Sequence, residues 1–437
     1  MQYFADLHIH SRFSRGTSKY LTLSELDLWA RLKGIAVVGT GDATHPAWLD
    51  ELAEQLIPAE EGLYMLNPSF FAIPEDFAGI PWIDSVEPTR FAITAEISTI
   101  YSHETDDGKK VRKVHHLCIF SSLEKAKEFS KKLGKRGNIT SDGRPIVGLS
   151  SRELLALALE SDLDILFIPA HIWTPWFSVL GSRSGYNSIE ACYGDLTPHI
   201  YAVETGLSSD PPMNWLCSFL DPFTLVSNSD AHSAKNIGRE ANILDTNLSL
   251  PAIRQAIKTK KGFLGTIEFF PEEGKYHHDG HRKCGISLTP VGTLKHNGLC
   301  PVCGKKLTIG VQNRVAQLAD RDSLNPEEHP PYTSLIPLPE LISHITGRGV
   351  ATKTVNHKYI TTLAALGAEY NILIKLPLEN IEKHDPKLAK AIANLRNRKI
   401  NSSAGYDGEY GKIIPGGDTT RTHLDFSPVE LMKLKKK

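Results

Sequence analysis

Residues 3–10 read Tyr3-Phe4-Ala5-Asp6-Leu7-His8-Ile9-His10, and this short segment decides how the rest of the chain is interpreted. On a β-strand, side chains two residues apart face the same side, so His8 and His10 point together. Leu7 and Ile9 pack on the opposite face. Two imidazoles side by side at the end of a strand are a natural half of a metal site.

The segment opens a region in which short apolar strand-like runs alternate with helix-like runs, up to about residue 265. This rhythm predicts a parallel α/β architecture. A capping-box pattern, Thr22-Leu23-Ser24-Glu25, predicts a helix that ends at Gly34, and residues 151–161 predict another. The predicted strands are 3–10, 35–40, 91–98, 114–120, 164–170, 201–205 and 223–227.

A His, Asp or Glu lies at or near the end of strand after strand. In parallel α/β folds, ligands and catalytic groups gather at that edge. Any single position could be a core histidine or a helix cap, but the whole set would leave many buried polar groups that each need a partner. One metal cluster explains them together. The candidate ligands are His8, His10, Asp42, Glu96, His116 (with His115 as its rival), His171, Asp230 and His232, of which Asp42, Glu96, Asp230 and His232 are also the candidate catalytic residues.

The composition of this ligand set indicates its chemistry. Histidine and carboxylate ligands without thiolate suit two or three Zn, Mg, Mn or Fe ions. Such ions bind phosphate oxygens and lower the pKa of bound water toward about 7. The sequence contains no G-x-S-x-G elbow, Walker loop or dinucleotide fingerprint. A metal-dependent phosphoesterase is therefore predicted.

The ligand set resembles the polymerase-and-histidinol-phosphatase (PHP) family over residues 1–265. The resemblance implies a distorted (β/α)₇ barrel with a trinuclear metal centre. Thr40-Gly41-Asp42 stands where many members have Thr-Asp-His, so the ligand role is carried to Asp42. Residues 11–15 lack the histidine that many members have there. His116 is preferred over His115 because His followed by Leu is frequent in the family.

Glycine, histidine and cysteine cluster between residues 266 and 310, where long periodic segments are absent. Cys300-x-x-Cys303 followed by Gly is half of a zinc knuckle. A redox pair or unpaired core thiols are the alternative, but this loop is too poor in apolar residues to fold unaided. The predicted ligands of one structural zinc are His281, Cys284, Cys300 and Cys303, with His277 and His278 as alternatives to His281.

Five further segments resemble the endonuclease Q family, and the similarity runs almost end to end. They are residues 227–232, 279–284, 300–304, 307–311 and 405–412. Members of that family nick DNA on the 5′ side of uracil, hypoxanthine or xanthine and at abasic sites. The resemblance implies three parts: a PHP barrel (1–265), a zinc-binding module (266–310) and a helical C-terminal domain for DNA recognition (311–437).

A nuclease must hold a polyanion and reach a base inside the stack, which favours basic and aromatic residues near the metal ligands. The basic residues could equally be solvated loop charges, and the aromatic residues could be core. The DNA-binding candidates are Arg12, Arg15, Lys19, Trp173, Trp176, Tyr406 and Tyr410.

We expect a metal-bound hydroxide to attack the DNA phosphodiester in line, leaving a 3′-hydroxyl and a 5′-phosphate. Two rivals are a small-molecule phosphatase resembling histidinol phosphatase and a non-catalytic module that binds damaged DNA. The net charge of −1 neither supports nor excludes DNA binding. Without a visible signal or membrane segment, and with cysteines typical of a reducing compartment, we expect a cytoplasmic, nucleoid-associated protein. A sliding clamp is a conceivable partner, although no clamp-binding motif is found.

Overall fold

A computed structural model describes residues 1–105, 108–417, 424 and 426–435. Its strands are β1 (Gln2–Asp6), β2 (Val37–Gly39), β3 (Leu56–Pro58), β4 (Tyr64–Leu66), β5 (Arg90–Ala92), β6 (Thr94–Thr105), β7 (Gly108–Ile119), β8 (Ile146–Val147), β9 (Leu166–Pro169), β10 (Ala202–Glu204), β11 (Thr224–Val226), β12 (Ala241–Asp245), β13 (Phe263–Glu268), β14 (Asp279–His281), β15 (Ile286–Leu288), β16 (Tyr332–Ser334), β17 (Ile400–Ser403) and β18 (Lys412–Pro415).

Helices follow most of these strands and dominate the region after β16. They are α1 (Leu23–Lys33), α2 (Pro46–Gln55), α3 (Leu123–Leu133), α4 (Ser151–Ser161), α5 (Ile189–Tyr193), α6 (Pro211–Trp215), α7 (Leu250–Thr259), α8 (Pro290–Lys295), α9 (Val311–Leu318), α10 (Leu338–Thr346), α11 (Lys353–Leu366), α12 (Leu378–His384), α13 (Pro386–Arg396) and α14 (Pro428–Lys435).

The mixed α/β class is confirmed, but the described residues do not form a closed barrel. The described strands divide into an eight-stranded sheet (β16-β13-β12-β1-β2-β5-β4-β3), a four-stranded sheet (β8-β6-β7-β9), a parallel pair (β10-β11) and two antiparallel pairs (β14-β15 and β17-β18). The predicted parallel arrangement holds only in part: β2 pairs in parallel with β1 and with β5, whereas β6 and β7 form a long antiparallel hairpin and β12 runs antiparallel to β1. A hairpin needs only a tight turn between its strands, whereas parallel strands need a crossover.

Local sequence signals placed several helices correctly. Thr22 caps α1 by accepting a hydrogen bond from the amide of Glu25, and Gly34 ends the helix in the left-handed conformation. Ser150 and Glu153 form a full capping box at α4, which spans the predicted residues. The strand predicted over 91–98 is instead divided between β5 and β6, with a break at Ile93.

The C-terminal helices pack on the large sheet's side of the molecule through one continuous apolar core. A buried ion pair marks the contact: Lys33 Nζ, at the end of α1, lies 3.1 Å from Glu369 Oε2, beyond α11. Tyr359 donates to the same carboxylate oxygen at 2.8 Å. A buried charge pair with this much hydrogen bonding fixes orientation more than it adds stability.

None of the helices in the described part of the chain is long and apolar enough to cross a membrane.

Candidate metal centre

Glu96 is the hub of the candidate centre, near the start of β6, and its two carboxylate oxygens face two different groups of side chains. Oε1 lies 2.6 Å from His115 Nδ1 and 3.1 Å from His171 Nε2. Oε2 lies 3.4 Å from His10 Nε2 and 3.7 Å from His8 Nε2. Glu96 is fully buried. The arrangement suits a carboxylate that bridges two metal ions.

Two groups of potential ligands result, each with donor atoms within 4.8 Å of one another. The first is His8, His10, Glu96 and Asp230, and the second is Glu96, His115 and His171. The strands β6 and β7 and the segments that follow β1, β9 and β11 contribute these residues, as expected for a site at one edge of α/β strands.

His8 is oriented by Glu204, at the end of β10. Its Nδ1 lies 3.0 Å from both carboxylate oxygens of Glu204. That carboxylate also accepts from the amide of His171 at 2.8 Å and from Asn228 Nδ2 at 2.9 Å. A carboxylate behind a histidine in this way fixes the ring and its tautomer for a metal on the other nitrogen.

His10 is held in the same manner by Asp42. Asp42 Oδ1 lies 3.2 Å from His10 Nδ1 and accepts from Ser14 Oγ at 2.8 Å. Its Oδ2 accepts from the amide and hydroxyl of Ser11 at 2.8 and 2.6 Å. Both oxygens are thus occupied, and Asp42 lies outside both ligand groups. In this geometry Asp42 contacts His10 from behind, while the ligand role predicted from the sequence stays a prediction.

Asp230 and His232 lie at the open side of the centre. Asp230 Oδ1 is 2.9 Å from His10 Nε2, and the His232 ring lies 4.5 Å from the His10 ring. His232 Nδ1, however, faces the backbone carbonyl of Asp230 at 2.8 Å. His232 therefore borders the cluster but belongs to neither ligand group among the described residues.

His115, and not His116, faces the centre, which reverses the sequence-based preference. In the β6–β7 ladder Glu96 pairs with Leu117 and Ser98 with His115, so Glu96 and His115 share a face. His116 projects from the opposite face, where it contacts Thr99 Oγ1 at 3.1 Å and the Tyr193 hydroxyl at 2.9 Å. His116 is a hydrogen-bonded core histidine.

The electrostatics keep the carboxylates ionised despite complete burial. Burial opposes protonation of His8, but the charges of Glu204 and Glu96 outweigh it and raise the pKa of His8 well above its usual value. Burial likewise opposes ionisation of Asp42, yet His10 and Ser11 lower the pKa of Asp42 below its usual value. Burial lowers the pKa of His115 to about 4. Ionised carboxylates beside neutral imidazole nitrogens are the donors that a divalent cation needs.

One buried atom tests directly whether these residues fit a metal. His8 Nε2 has no hydrogen-bond partner among the residues that the structure describes, although burial of such an atom is costly. Because Glu204 holds Nδ1, the free nitrogen points at Glu96 and Asp230. An orphaned imidazole nitrogen aimed at two carboxylates fits a metal ligand. The centre therefore has the donor set, the orientation and the supporting carboxylates of a metal site.

The backbone at three site residues is unusual. Asp42, His171 and Asp230 have positive φ angles of 50°, 31° and 48°. This conformation is uncommon for residues other than glycine and is found often at functional turns. Before Asp42, a Cβ on Gly41 would lie 2.4 Å from the Ile9 carbonyl oxygen, so that turn requires glycine.

A second group of potential ligands lies in the predicted zinc module. His281, Cys284, Cys300 and Cys303 bring their donor atoms within 4.8 Å of one another. Cys303 Sγ is 3.6 Å from His281 Nδ1. The amide of Gly304 donates to the carbonyl of Cys300, which closes the knuckle turn. His277 and His278 lie outside this group. Four such donors suit a tetrahedral structural zinc.

The structure separates the DNA-binding candidates. Trp173 is fully buried and donates to Asn214 Oδ1 at 2.8 Å, so it is a core residue and cannot stack on a base. Trp176 and Tyr410 are exposed by 42% and 71%. Tyr406 is partly buried over Gly280, where an added Cβ would lie 2.4 Å from its ring. Trp176 and Tyr410 remain candidates for stacking.

The basic candidates lie on the surface. Arg12 pairs with Glu51 at 2.5 Å, Arg15 lies 3.6 Å from Asp142, and Lys19 contacts the Tyr20 ring. Each is exposed and could contact phosphate, but none reaches the metal-ligand groups.

Two residues of the centre, Glu204 and Arg144, were not among the residues predicted from the sequence. Glu204 lies near the end of the predicted strand 201–205, so the search for His, Asp and Glu near strand ends could have included it. Arg144, whose Nη1 lies 3.1 Å from Glu96 Oε2, comes from a loop without periodicity, and no sequence signal singles it out.

Sequence comparison finds relatives along the chain. Residues 337–399 match the family described as the MJ0043 C-terminal domain. The uncharacterised protein YqxK of Bacillus subtilis (strain 168) is 30% identical over 430 residues, which cover 94% of this chain and 99% of YqxK. The uncharacterised protein MJ0043 of Methanocaldococcus jannaschii is 35% identical over 249 residues, or 55% of this chain and 31% of MJ0043. The match thus spans about a third of that relative's length.

Two solved structures are similar over nearly the whole chain. One is the lesion-specific endonuclease PfuEndoQ from Pyrococcus furiosus, with a TM-score of 0.80 and 33% identity over 94% of this chain and 95% of that one. The other is endonuclease Q in complex with a 27-mer duplex substrate that has an abasic lesion at the active site. Its TM-score is 0.79, with 34% identity over 94% of this chain and 96% of that one.

Proposed function

The chain belongs to the endonuclease Q family, and from this premise we propose that it is a DNA-repair endonuclease. It would hydrolyse the phosphodiester on the 5′ side of uracil, hypoxanthine, xanthine or an abasic site. The hypothesis is supported most by the bridging position of Glu96, which joins two ligand groups at one strand edge.

The residues of the candidate metal centre suit two divalent ions, with Zn, Mg or Mn as the fitting metals. His8, His10, Glu96 and Asp230 would hold one ion, and Glu96, His115 and His171 the other. When bound, such ions supply an activated water and neutralise the charge that develops on the phosphate. A third ion, which the PHP resemblance implies, lacks a further ligand group in the described residues.

The protein contributes orientation and electrostatics. Glu204 and Asp42 fix the rings of His8 and His10 from behind, so that Nε2 of each faces the reacting site. Asp230 and His232 lie at the open side, where Asp230 is 26% exposed and the substrate phosphate must enter. His232 is placed to accept or donate a proton there, which suits a catalytic role better than the ligand role predicted from sequence.

The parts outside the centre suit lesion recognition. We propose that residues 266–310 fold around one structural zinc held by His281, Cys284, Cys300 and Cys303, and that residues 311–437 form the DNA-recognition domain. Trp176 and Tyr410 offer exposed rings for stacking on bases, and Arg12, Arg15 and Lys19 offer charges for phosphates.

The hypothesis can be tested with a labelled duplex that carries one deoxyuridine or deoxyinosine, incubated with Mg²⁺ or Mn²⁺. We expect one nick directly 5′ of the lesion, with a 3′-hydroxyl that a polymerase can extend. An undamaged duplex of the same sequence is the control. Equal cleavage of both duplexes would contradict lesion recognition.

A small-molecule phosphatase is less favoured, because similarity to DNA-acting structures extends through the zinc module and the C-terminal region. p-Nitrophenyl phosphate and histidinol phosphate distinguish the two functions. Release of phosphate from these esters, without cleavage of any DNA, would favour the phosphatase.

A further inference from the structure

The proposed metal centre contains one permanent cation that metal binding does not require. Arg144 Nη1 lies 3.1 Å from Glu96 Oε2, the same oxygen that faces His8 and His10. The Arg144 side chain is 24% exposed, so one side of it borders the centre and the other meets solvent. Arginine stays protonated at all relevant pH values. A cation here competes with a metal ion for Glu96, so its presence calls for a function other than metal binding.

The loop that carries Arg144 is built to hold it in place. Asp142 Oδ1 accepts from the amide of Arg144 at 3.1 Å and from the amide of Arg15 at 3.2 Å. On the other side, the carbonyl of Pro145 accepts from the amide of Ser98, and β8 then pairs with β6. Both flanks of Arg144 are therefore fixed to the same hairpin and loop that carry the ligands.

Gly143 brings this loop into direct contact with the metal-supporting residues. Its amide donates to the carbonyl of Phe13 at 2.9 Å. A Cβ at this position would lie 2.3 Å from Asp42 Oδ2 and 2.7 Å from Ser14 Oγ. Only glycine allows so close an approach. The loop thus packs against Asp42, and Arg144 is placed over Glu96 as a consequence.

Most hydrogen-bond donors of the Arg144 guanidinium have no partner among the described residues. Of its five N–H groups, one bonds to Glu96, and this is the only side-chain hydrogen bond of Arg144 found among the described residues. Guanidinium groups match phosphate oxygens in geometry and charge, and bind them with two parallel hydrogen bonds. A divalent cation on Glu96 would take over the charge of that carboxylate and leave the guanidinium free for an anion.

We propose that Arg144 is a catalytic residue that donates hydrogen bonds to a non-bridging oxygen of the phosphate being cleaved. The inference rests on the proposed function and adds a residue to its chemistry. In that step the oxygen of a water forms a bond to phosphorus and the P–O3′ bond breaks. One water proton ends on O3′ and the other leaves to solvent. Negative charge accumulates on the non-bridging oxygens. A fixed cation stabilises this charge most effectively where bulk water is excluded.

The alternative is that Arg144 only balances the charge of Glu96. That role would be visible as loss of bound metal or of stability on substitution. The proposed role predicts that metal content and melting temperature are kept while the chemical step slows. Arg144→Met removes the charge at similar size, and Arg144→Lys keeps a charge without the two-donor geometry.

The first experiment measures single-turnover cleavage of a deoxyuridine duplex by protein whose bound metal has been quantified by mass spectrometry. We expect Arg144→Met to slow cleavage by about 10²–10³-fold, the usual cost of one lost donor to a developing oxyanion, and Arg144→Lys to be intermediate. Arg152→Met is the matched control, because Arg152, on α4, forms an exposed pair with Asp195 and belongs to neither ligand group. Added guanidinium should partly restore an Arg144→Ala protein.

The second experiment does not depend on activity. Binding of the lesion duplex is measured in Ca²⁺ over a range of salt concentrations, and Arg144→Met should reduce the slope of log K against log salt by about 1, as expected for one lost phosphate contact. An unchanged slope and an unchanged cleavage rate would overturn the inference. So would slow cleavage that is explained entirely by lost metal. If the wild-type protein cleaves no DNA at all, the proposed function fails first, and the salt slope still tests Arg144.

Discussion

Glu204 offers the sharpest test of how the metal centre is organised, through the substitution Glu204→Gln. The carboxylate accepts from three donors at once: His8 Nδ1, the amide of His171 and Asn228 Nδ2. A glutamine has the same shape, but its amide nitrogen must face one of these donors. One hydrogen bond to a charged group is then lost in a fully buried place, at a cost of about 1.5–3 kcal/mol.

The loss should appear as weaker metal binding. Residues that orient a metal-ligating histidine typically contribute 10–100-fold in metal affinity, which agrees with the hydrogen-bond estimate. We therefore expect the metal dissociation constant of Glu204→Gln to rise by about 10–100-fold. The assay is competition with a fluorescent chelator on metal-free protein. Glu160→Gln is the control, because Glu160 pairs with Lys132 on the surface and is 68% exposed.

Two results would refute this reasoning. One is a folded Glu204→Gln protein whose metal affinity equals that of the wild type. The other is an equal loss in Glu160→Gln, which would show that the assay reports general charge.

Three further predictions follow from the geometry. His115→Ala should weaken metal binding and slow cleavage. His116→Ala should keep its metal, but its free energy of unfolding, measured by urea denaturation, should be lower by about 2–4 kcal/mol because a buried hydrogen-bonded ring is lost. The reverse pattern would identify His116 as the ligand. Cys300→Ser should lower the zinc content by one ion per chain without emptying the metal centre, as measured by elemental analysis; unchanged zinc would contradict the module. Burial and nearby Glu340 raise the pKa of Glu273 to about 8 from an ordinary 4.5, so the unfolded chain loses this proton first as pH rises. The free energy of unfolding of the wild type should therefore fall between pH 4.5 and 8 by more than that of Glu273→Gln. Parallel curves of unfolding free energy against pH for the two proteins would exclude the shift.

Local signals in the sequence were enough to place α1 and α4 and to indicate which residues lie close together in the candidate site. Thr22 and Ser150 mark helix starts through side-chain capping, which depends only on neighbouring residues. His8, His10, His171 and Asp230 were expected to meet because each lies at or near the end of a predicted strand, and the structure places their donor atoms around Glu96, which lies near the start of β6.

The errors arose where the outcome depends on contacts distant in sequence. Alternation places His115 and His116 on opposite faces, but only the register of the β6–β7 hairpin decides which face holds Glu96. The ligand role of Asp42 was predicted from the family resemblance, whereas its hydrogen bonds with Ser11 and Ser14 depend on how residues distant in sequence pack. Trp173 follows a site residue in sequence but turns into the core.

The central claim is that the two ligand groups joined by Glu96 cleave lesion-containing DNA. The most direct measurement is single-turnover cleavage of a deoxyuridine duplex by the wild type, Asp230→Asn and Asp195→Asn proteins with matched metal. Asp230 lies 2.9 Å from His10 in the centre, whereas Asp195 is an exposed residue paired with Arg152. We predict a nick 5′ of the lesion for the wild type and Asp195→Asn, and a loss of about 10³-fold or more for Asp230→Asn. Equal cleavage by all three proteins would show that the nick does not come from this centre.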